Sequence, residues 1–185
     1  PVSDRTTPRS RAAGLPHEAG PTSGLADNLL PAQLPSKDAV KQAPAASLDD
    51  PGSCRPLGSI AMQAVWGSAA ALPGTVVLDS WWFRPRELRF AAGLDQVGTC
   101  EVLEIWCDLP PDLARTRYAR RDRPAMFEDA WHLANDWDDW ASQAQPLALS
   151  AVLRVDISSP VDYPELAAAV LAQFAETPPA NDTPD

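Results

Sequence analysis

Two aspartates and a run of arginines carry the chemistry this chain could do. Asp79 ends a short apolar stretch, Thr75 to Asp79, and Asp108 ends a second, Cys100 to Asp108. Arg115, Arg117, Arg120, Arg121 and Arg123 follow within nine residues. Carboxylates hold hard cations such as Mg²⁺, and guanidinium groups grip phosphate oxygens through paired hydrogen bonds. The combination suits phosphate and metal chemistry, provided the fold brings the groups to one place.

Each of these residues also has an ordinary structural use. Asp79 reads equally as a ligand at the end of a central strand or as a cap for the turn into Ser80 and Trp81. Asp38, between Lys37 and Lys41, falls in the first turn of an expected helix. There it could take a proton from a substrate hydroxyl, or simply answer the helix dipole, which is the better reading of the residue alone. Arg117, Arg120 and Arg121 have near-helical spacing, with Arg123 in a loop before Pro124. They fit phosphate contacts slightly better than a solvated basic face paired with the acidic segment behind it. Trp81, Trp82 and Phe83 fit a pocket wall or a core equally, whereas Trp131, Trp137 and Trp140 read as packing. Asp108 and Asp156 read as turn residues, and the separated His17 and His132 form no triad.

The elements that must position these groups alternate between strand and helix. Ser36 to Lys41 opens a helix with Ser36 as its cap, and Pro44 should end or kink it. Leu57 to Leu72 reads as a buried helix stopped by Pro73 and Gly74. Thr75 to Leu78 is a short strand, Arg84 to Leu94 a helix, and Glu101 to Trp106 a strand. A helix from Pro110 to Arg121 follows, then one from Met126 to Ala141 with Phe127, Trp131, Ala134 and Trp137 as its apolar stripe. Val152 to Asp156 is the last strand, and Pro164 to Phe174 the last helix. This order predicts an α/β fold, a parallel sheet with helices on both faces. Residues 1–35 read as a loose or divergent N-terminal segment, 36–175 as the domain, and 176–185 as a disordered tail.

Length and charge set further bounds. The 185 residues suffice for one domain that needs neither disulfides nor metals to fold. The net charge is −10, and residues 122–185 hold 12 acids against Arg123 and Arg154. That balance argues against wrapping duplex nucleic acid. Cys54, Cys100 and Cys107 lack metal-site spacing and suggest no disulfide framework. No signal peptide and no run of about 18 apolar residues is visible, so the expectation is a cytoplasmic protein with no membrane partner.

The order of segments resembles the small P-loop kinases. The motifs are Leu34 to Lys41, Val76 to Asp79 with Phe83 to Arg86, Ile105 to Pro111, and Ala114 to Arg121. The chain is similar over residues 34–175 to proteins of the zeta-toxin, gluconate-kinase and chloramphenicol-phosphotransferase type, often described as AAA-family ATPases or predicted kinases. The resemblance implies a five-stranded parallel sheet, ATP with Mg²⁺ as cofactors, and γ-phosphate transfer to a small hydroxyl-bearing substrate. It implies a substrate-side base at Asp38 and a metal-side or substrate-side acid at Asp79. It also implies lid arginines at Arg117, Arg120 and Arg121, with Arg123 joining Arg117 and Arg121 on the nucleotide phosphates.

One part of that pattern is missing. The family's first strand and its Gly-x-x-x-x-Gly-Lys-Ser/Thr loop should precede Ser36 by about twenty residues. The lysines of this chain are Lys37 and Lys41, and neither follows a glycine. Gly20 to Gly24 echoes only the opening of the loop. The expectation is therefore a kinase-like protein of uncertain activity. The alternatives are a catalytically silent relative that binds a ligand or a protein, and an interaction module whose charges are only surface.

Overall fold

Val76, Val77 and Leu78 are all buried, and they face opposite ways. Val76 and Leu78 pack with Val65, Trp66, Ala69, Trp82 and Phe90. Val77 packs instead with Leu25, Leu29, Leu103, Ile105, Leu166, Ala167 and Val170. A two-residue repeat with both faces covered is what a strand between two layers of helices requires.

The computed structural model describes residues 21–29, 31–45 and 56–175. The readings placed on His17, Gly20, Cys54 and the 176–185 tail lie outside them. In chain order the elements are α1 (Pro21–Asn28), β1 (Ala32–Gln33), α2 (Lys37–Ala45), α3 (Leu57–Ala71), β2 (Thr75–Val76), α4 (Glu87–Val97) and β3 (Leu103–Asp108). Then come α5 (Pro111–Ala119), α6 (Asp129–Asn135), α7 (Trp137–Gln143), β4 (Ala151–Asp156) and α8 (Tyr163–Ala175). Short 3-10 turns cover Arg84–Arg86 and Ala125–Phe127.

The fold is α/β, as the alternation predicts. β1 pairs parallel with β2, and β3 pairs parallel with β4. The described residues thus form two parallel pairs of strands, where the resemblance implies one sheet of five. Side chains of α3 and α4 cover the Val76 face, and those of α1 and α8 cover the Val77 face. Gly93 of α4 lies so close to Trp66 of α3 that a β-carbon would overlap the indole ring. No helix among the described residues is long and apolar enough to cross a membrane.

Three expectations change. Residues 21–28, read as part of the loose N-terminal segment, form α1, because Leu25, Ala26 and Leu29 give it a buried face on the core. α2 continues through Pro44 to Ala45. The single helix expected from Met126 to Ala141 is a 3-10 turn and two short helices. Glu128 breaks it with a left-handed φ of 54°, and Asp136 breaks it with φ −112°. Each break shifts the helical phase, so Trp131 is 54% exposed while Trp137 and Trp140 are buried.

Glu104 in β3 is a buried carboxylate, 4% exposed. It accepts hydrogen bonds from the backbone N–H groups of Leu147 and Ala148, each at 2.8 Å. Burial pushes its carboxyl up, and those two hydrogen bonds work against the shift. Ala148 has a left-handed φ of 54°, so Glu104 pins a strained loop just before β4. Glu104→Gln leaves one of these N–H groups facing an amide donor. The expected loss is about 1–3 kcal/mol, read as a lower urea midpoint at unchanged slope.

Candidate functional site

The site begins where β1 and β2 end. Asp79 N–H donates to the Pro35 carbonyl at 3.2 Å, and Lys37 N–H donates to the Asp79 carbonyl at 3.0 Å. Ser36 and Asp79 are parallel bridge partners. This pairing extends the β1–β2 ladder to the first residue of α2. It places Asp79, at a strand end, beside Asp38, in the first turn of a helix that starts at the same edge. Carboxyl ends of parallel strands form the crevice in which α/β proteins bind ligands.

The arginines divide into two groups. Arg123 Nε and Nη2 donate to the two oxygens of Asp129 at 2.8 and 2.5 Å. Its Nη1 donates to Asp38 Oδ2 at 2.6 Å. The Tyr118 hydroxyl donates to Asp129 Oδ1 at 3.0 Å. Arg121 lies with its guanidinium 4.6 Å from the Tyr118 ring centre. Its Nε and Nη2 are enclosed and have no hydrogen-bond partner. Burial, then the charge of Arg123, lowers the Arg121 pKa to about 10. Lys41, one turn after Asp38, donates to the Met126 carbonyl at 3.0 Å and lies 4.7 Å from the Phe127 ring centre. Burial lowers its pKa, with the Asp38 charge opposing.

The other arginines are engaged elsewhere. Arg117 donates to the carbonyls of Ile157 at 2.8 Å and Ser158 at 3.2 Å, tying α5 to the loop after β4. Arg120 is exposed at the C-terminal end of α5. Arg115 pairs with the exposed Asp138 at 3.2 Å. Of the candidates read from sequence, the structure brings Asp38, Arg121 and Arg123 together, with Asp79 at the same sheet edge. It turns Arg117 toward backbone carbonyls.

The aromatic residues after Asp79 also divide. Trp82 turns inward, 5.5 Å from Trp66 and 5.0 Å from Phe90 between ring centres. Trp81 turns the other way, 4.9 Å from Phe83 and 4.5 Å from Trp140. Trp81 and Phe83 thereby join the α5–α7 core to the Asp79 edge. Asp108, read as a turn residue, accepts from Arg154 Nε at 2.8 Å and Nη2 at 2.5 Å. Asp156 accepts the Ser158 N–H at 2.8 Å.

Three members of the site were missed in the sequence: Lys41, Tyr118 and Asp129. Asp129 looked like one charge in an acidic helix, and only the Glu128 break reveals it as a partner for Arg123. A usable signal for Lys41 was its spacing from Asp38 on one helix face.

The donor set bears on ATP and Mg²⁺. The enclosed Arg121 nitrogens suit phosphate oxygens. Asp79 suits Mg²⁺, which is usually held by one or two carboxylates together with phosphate oxygens and water. No group of three or more His, Cys, Asp or Glu among the described residues could cage a metal without such help.

The fold has solved counterparts. A kinase candidate from Chloroflexus aurantiacus superposes with a TM-score of 0.70 at 19% identity, covering 92% of this chain and 97% of that one. A tunicamycin resistance protein from Deinococcus radiodurans gives 0.53 at 14%, covering 95% and 100%. Shikimate kinase from Acinetobacter baumannii, in complex with shikimate, gives 0.53 at 15%, covering 92% and 94%. At these identities the likeness shows the fold alone: an α/β fold shared with these solved proteins. No family model and no curated protein sequence matches the chain.

The ion pair at the centre of the site gives it a pH signature. Burial pushes the Asp129 carboxyl up, but hydrogen bonds from Arg123 and Tyr118 and the charge of Arg123 outweigh it and hold it below its ordinary value. A carboxylate depressed in the folded state stabilises fully above its unfolded value, and that part is lost as pH falls through the folded one. Stability carried by Asp129 should therefore disappear below about pH 4. Urea midpoints measured from neutral pH into acid should fall less steeply in Asp129→Asn than in the parent.

Proposed function

We propose that this chain is an ATP-binding, kinase-like protein that transfers a phosphoryl group to a small hydroxyl-bearing substrate. The observation that supports this best is the meeting of distant segments. Asp38 from α2, Asp79 from the bridge three residues past β2, and Arg121 and Arg123 from the loop after α5 share one sheet edge. The kinase-like fold of the solved counterparts supports the same reading.

Each residue has a defined task in that reaction. Asp38 accepts the proton of the attacking hydroxyl. Arg121 and Arg123 bind phosphate oxygens and offset charge developing on them during transfer. Arg120 adds a surface cation beside them, and Arg117 positions α5 through the Ile157 and Ser158 carbonyls. Asp79 would hold Mg²⁺, which would supply charge to offset that of the phosphates. A second reading, a catalytically silent relative that binds a ligand or protein through the same edge, rests on the sequence. It holds no Gly-x-x-x-x-Gly-Lys, the element that normally cradles the phosphates.

Calorimetry with ATP and Mg²⁺, paired with a phosphoryl-transfer assay, separates the two. The expected result is measurable binding whose Mg²⁺ dependence weakens in Asp79→Asn. Asp38→Asn should lower turnover by a factor of about 10² to 10⁴. A folded sample that binds no nucleotide would reject transfer and leave the silent relative.

A further inference from the structure

We propose that Asp38 is the removable occupant of an oxyanion site formed by Lys41, Arg121 and Arg123, so that the unliganded protein masks its own base and an incoming oxyanion releases it. The inference rests on the assignment of Asp38 as the base and adds the regulation of that site. Its ligand class is a tetrahedral oxyanion, a phosphoryl group or inorganic phosphate.

The two carboxylates on Arg123 are held unequally. Asp129 makes two bonds to the guanidinium, accepts a third from Tyr118, and its side chain is only 19% exposed. Asp38 makes a single bond to Nη1, and its side chain is 52% exposed. A one-point, half-exposed ion pair is weak, whereas a bidentate partly enclosed one is not. An anion arriving at this cluster would therefore displace Asp38 and leave Asp129 in place.

The cluster also carries unanswered positive charge. Arg121 keeps two enclosed guanidinium nitrogens without hydrogen-bond partners. An enclosed cation lacking full hydrogen bonding is costly to hold, and an oxyanion supplies the missing acceptors. Lys41 stands on the same side, its ammonium anchored to the Met126 carbonyl. With Asp38 seated, the three cations face three carboxylates, Asp38, Asp129 and, beside Lys41, Glu128; with Asp38 gone, they face two. The site is then net positive, as an incoming oxyanion requires. The Asp38 carboxylate, no longer bonded to Arg123, can then turn its oxygen to the substrate hydroxyl.

Inorganic phosphate, titrated by calorimetry in the absence of nucleotide, tests this without requiring catalysis. Asp38→Asn should bind phosphate about two- to fivefold more tightly than the parent, the gain from removing an exposed ion-pair competitor. Arg121→Met should bind it about tenfold or more weakly, the loss of a charged hydrogen-bond donor. Thermal melts confirm that each variant folds, and Lys41→Met, expected to weaken binding too, replaces Arg121→Met if the latter does not. Phosphate affinity that is unchanged or reduced in Asp38→Asn would overturn the proposal, as would no phosphate binding by either protein. A chain that shows tighter phosphate binding in Asp38→Asn yet never transfers phosphate would keep this inference and reject the kinase reading.

Discussion

Asp79 exchanges backbone hydrogen bonds with Pro35 and Lys37, which locks the end of β2 to the start of α2. Strand register has a period of two, so a slip of one residue would reverse the whole set of buried side chains. Val76 and Leu78 would turn toward α1 and α8, and Val77 toward α3 and α4. The hydrophobic core therefore enforces the register, and the register brings Asp79 to Asp38. Chemistry at this edge is held in place by valine and leucine packing one to three residues away.

A second anchor lies on the other strand pair. β3 offers Leu103 and Ile105 to the α1–α8 layer and Glu104 to the opposite side. A carboxylate in a strand core is costly unless its lone pairs are used. Here two backbone N–H groups use them, and a loop with a left-handed alanine is fixed as a result. At the end of the same strand Asp108 takes Arg154 from β4 and the Trp106 indole N–H. The acids of the β3–β4 pair thus serve architecture, while the pairing that continues from β1 and β2 brings Asp79 to the start of α2, which carries Asp38.

Most of the element order was legible because strand and helix periods are strong in this chain. The buried helix over Leu57–Ala71, the strand ending at Asp108 and the helix over Tyr163–Ala175 fall where apolar spacing puts them. α1 was hidden because its buried side, among the side chains described, is Leu25, Ala26 and Leu29, in a stretch rich in Gly, Pro and Ser. The breaks at Glu128 and Asp136 were hidden because tryptophans three to six residues apart mimic one continuous helix. The arginine run was legible as a cluster but not as two jobs. Arg117 and Arg121 sit four apart, yet Arg121 lies just past the end of α5, where the backbone leaves helical phase.

That end of α5 explains why Arg121 is available at all. Arg117 still points along the helix and finds carbonyls at Ile157 and Ser158. The Arg120 and Arg121 N–H groups bond back to Arg117 and Tyr118 carbonyls, a tightened last turn that redirects the chain. Arg121 is thereby laid over the Tyr118 ring, and Arg123 is swung between Asp129 and Asp38. The aromatic face shields Arg121 from water without offering it an acceptor, since a ring attracts a cation but cannot take an N–H bond of full strength. The result is a guanidinium shielded on one face and left with two nitrogens that no acceptor answers.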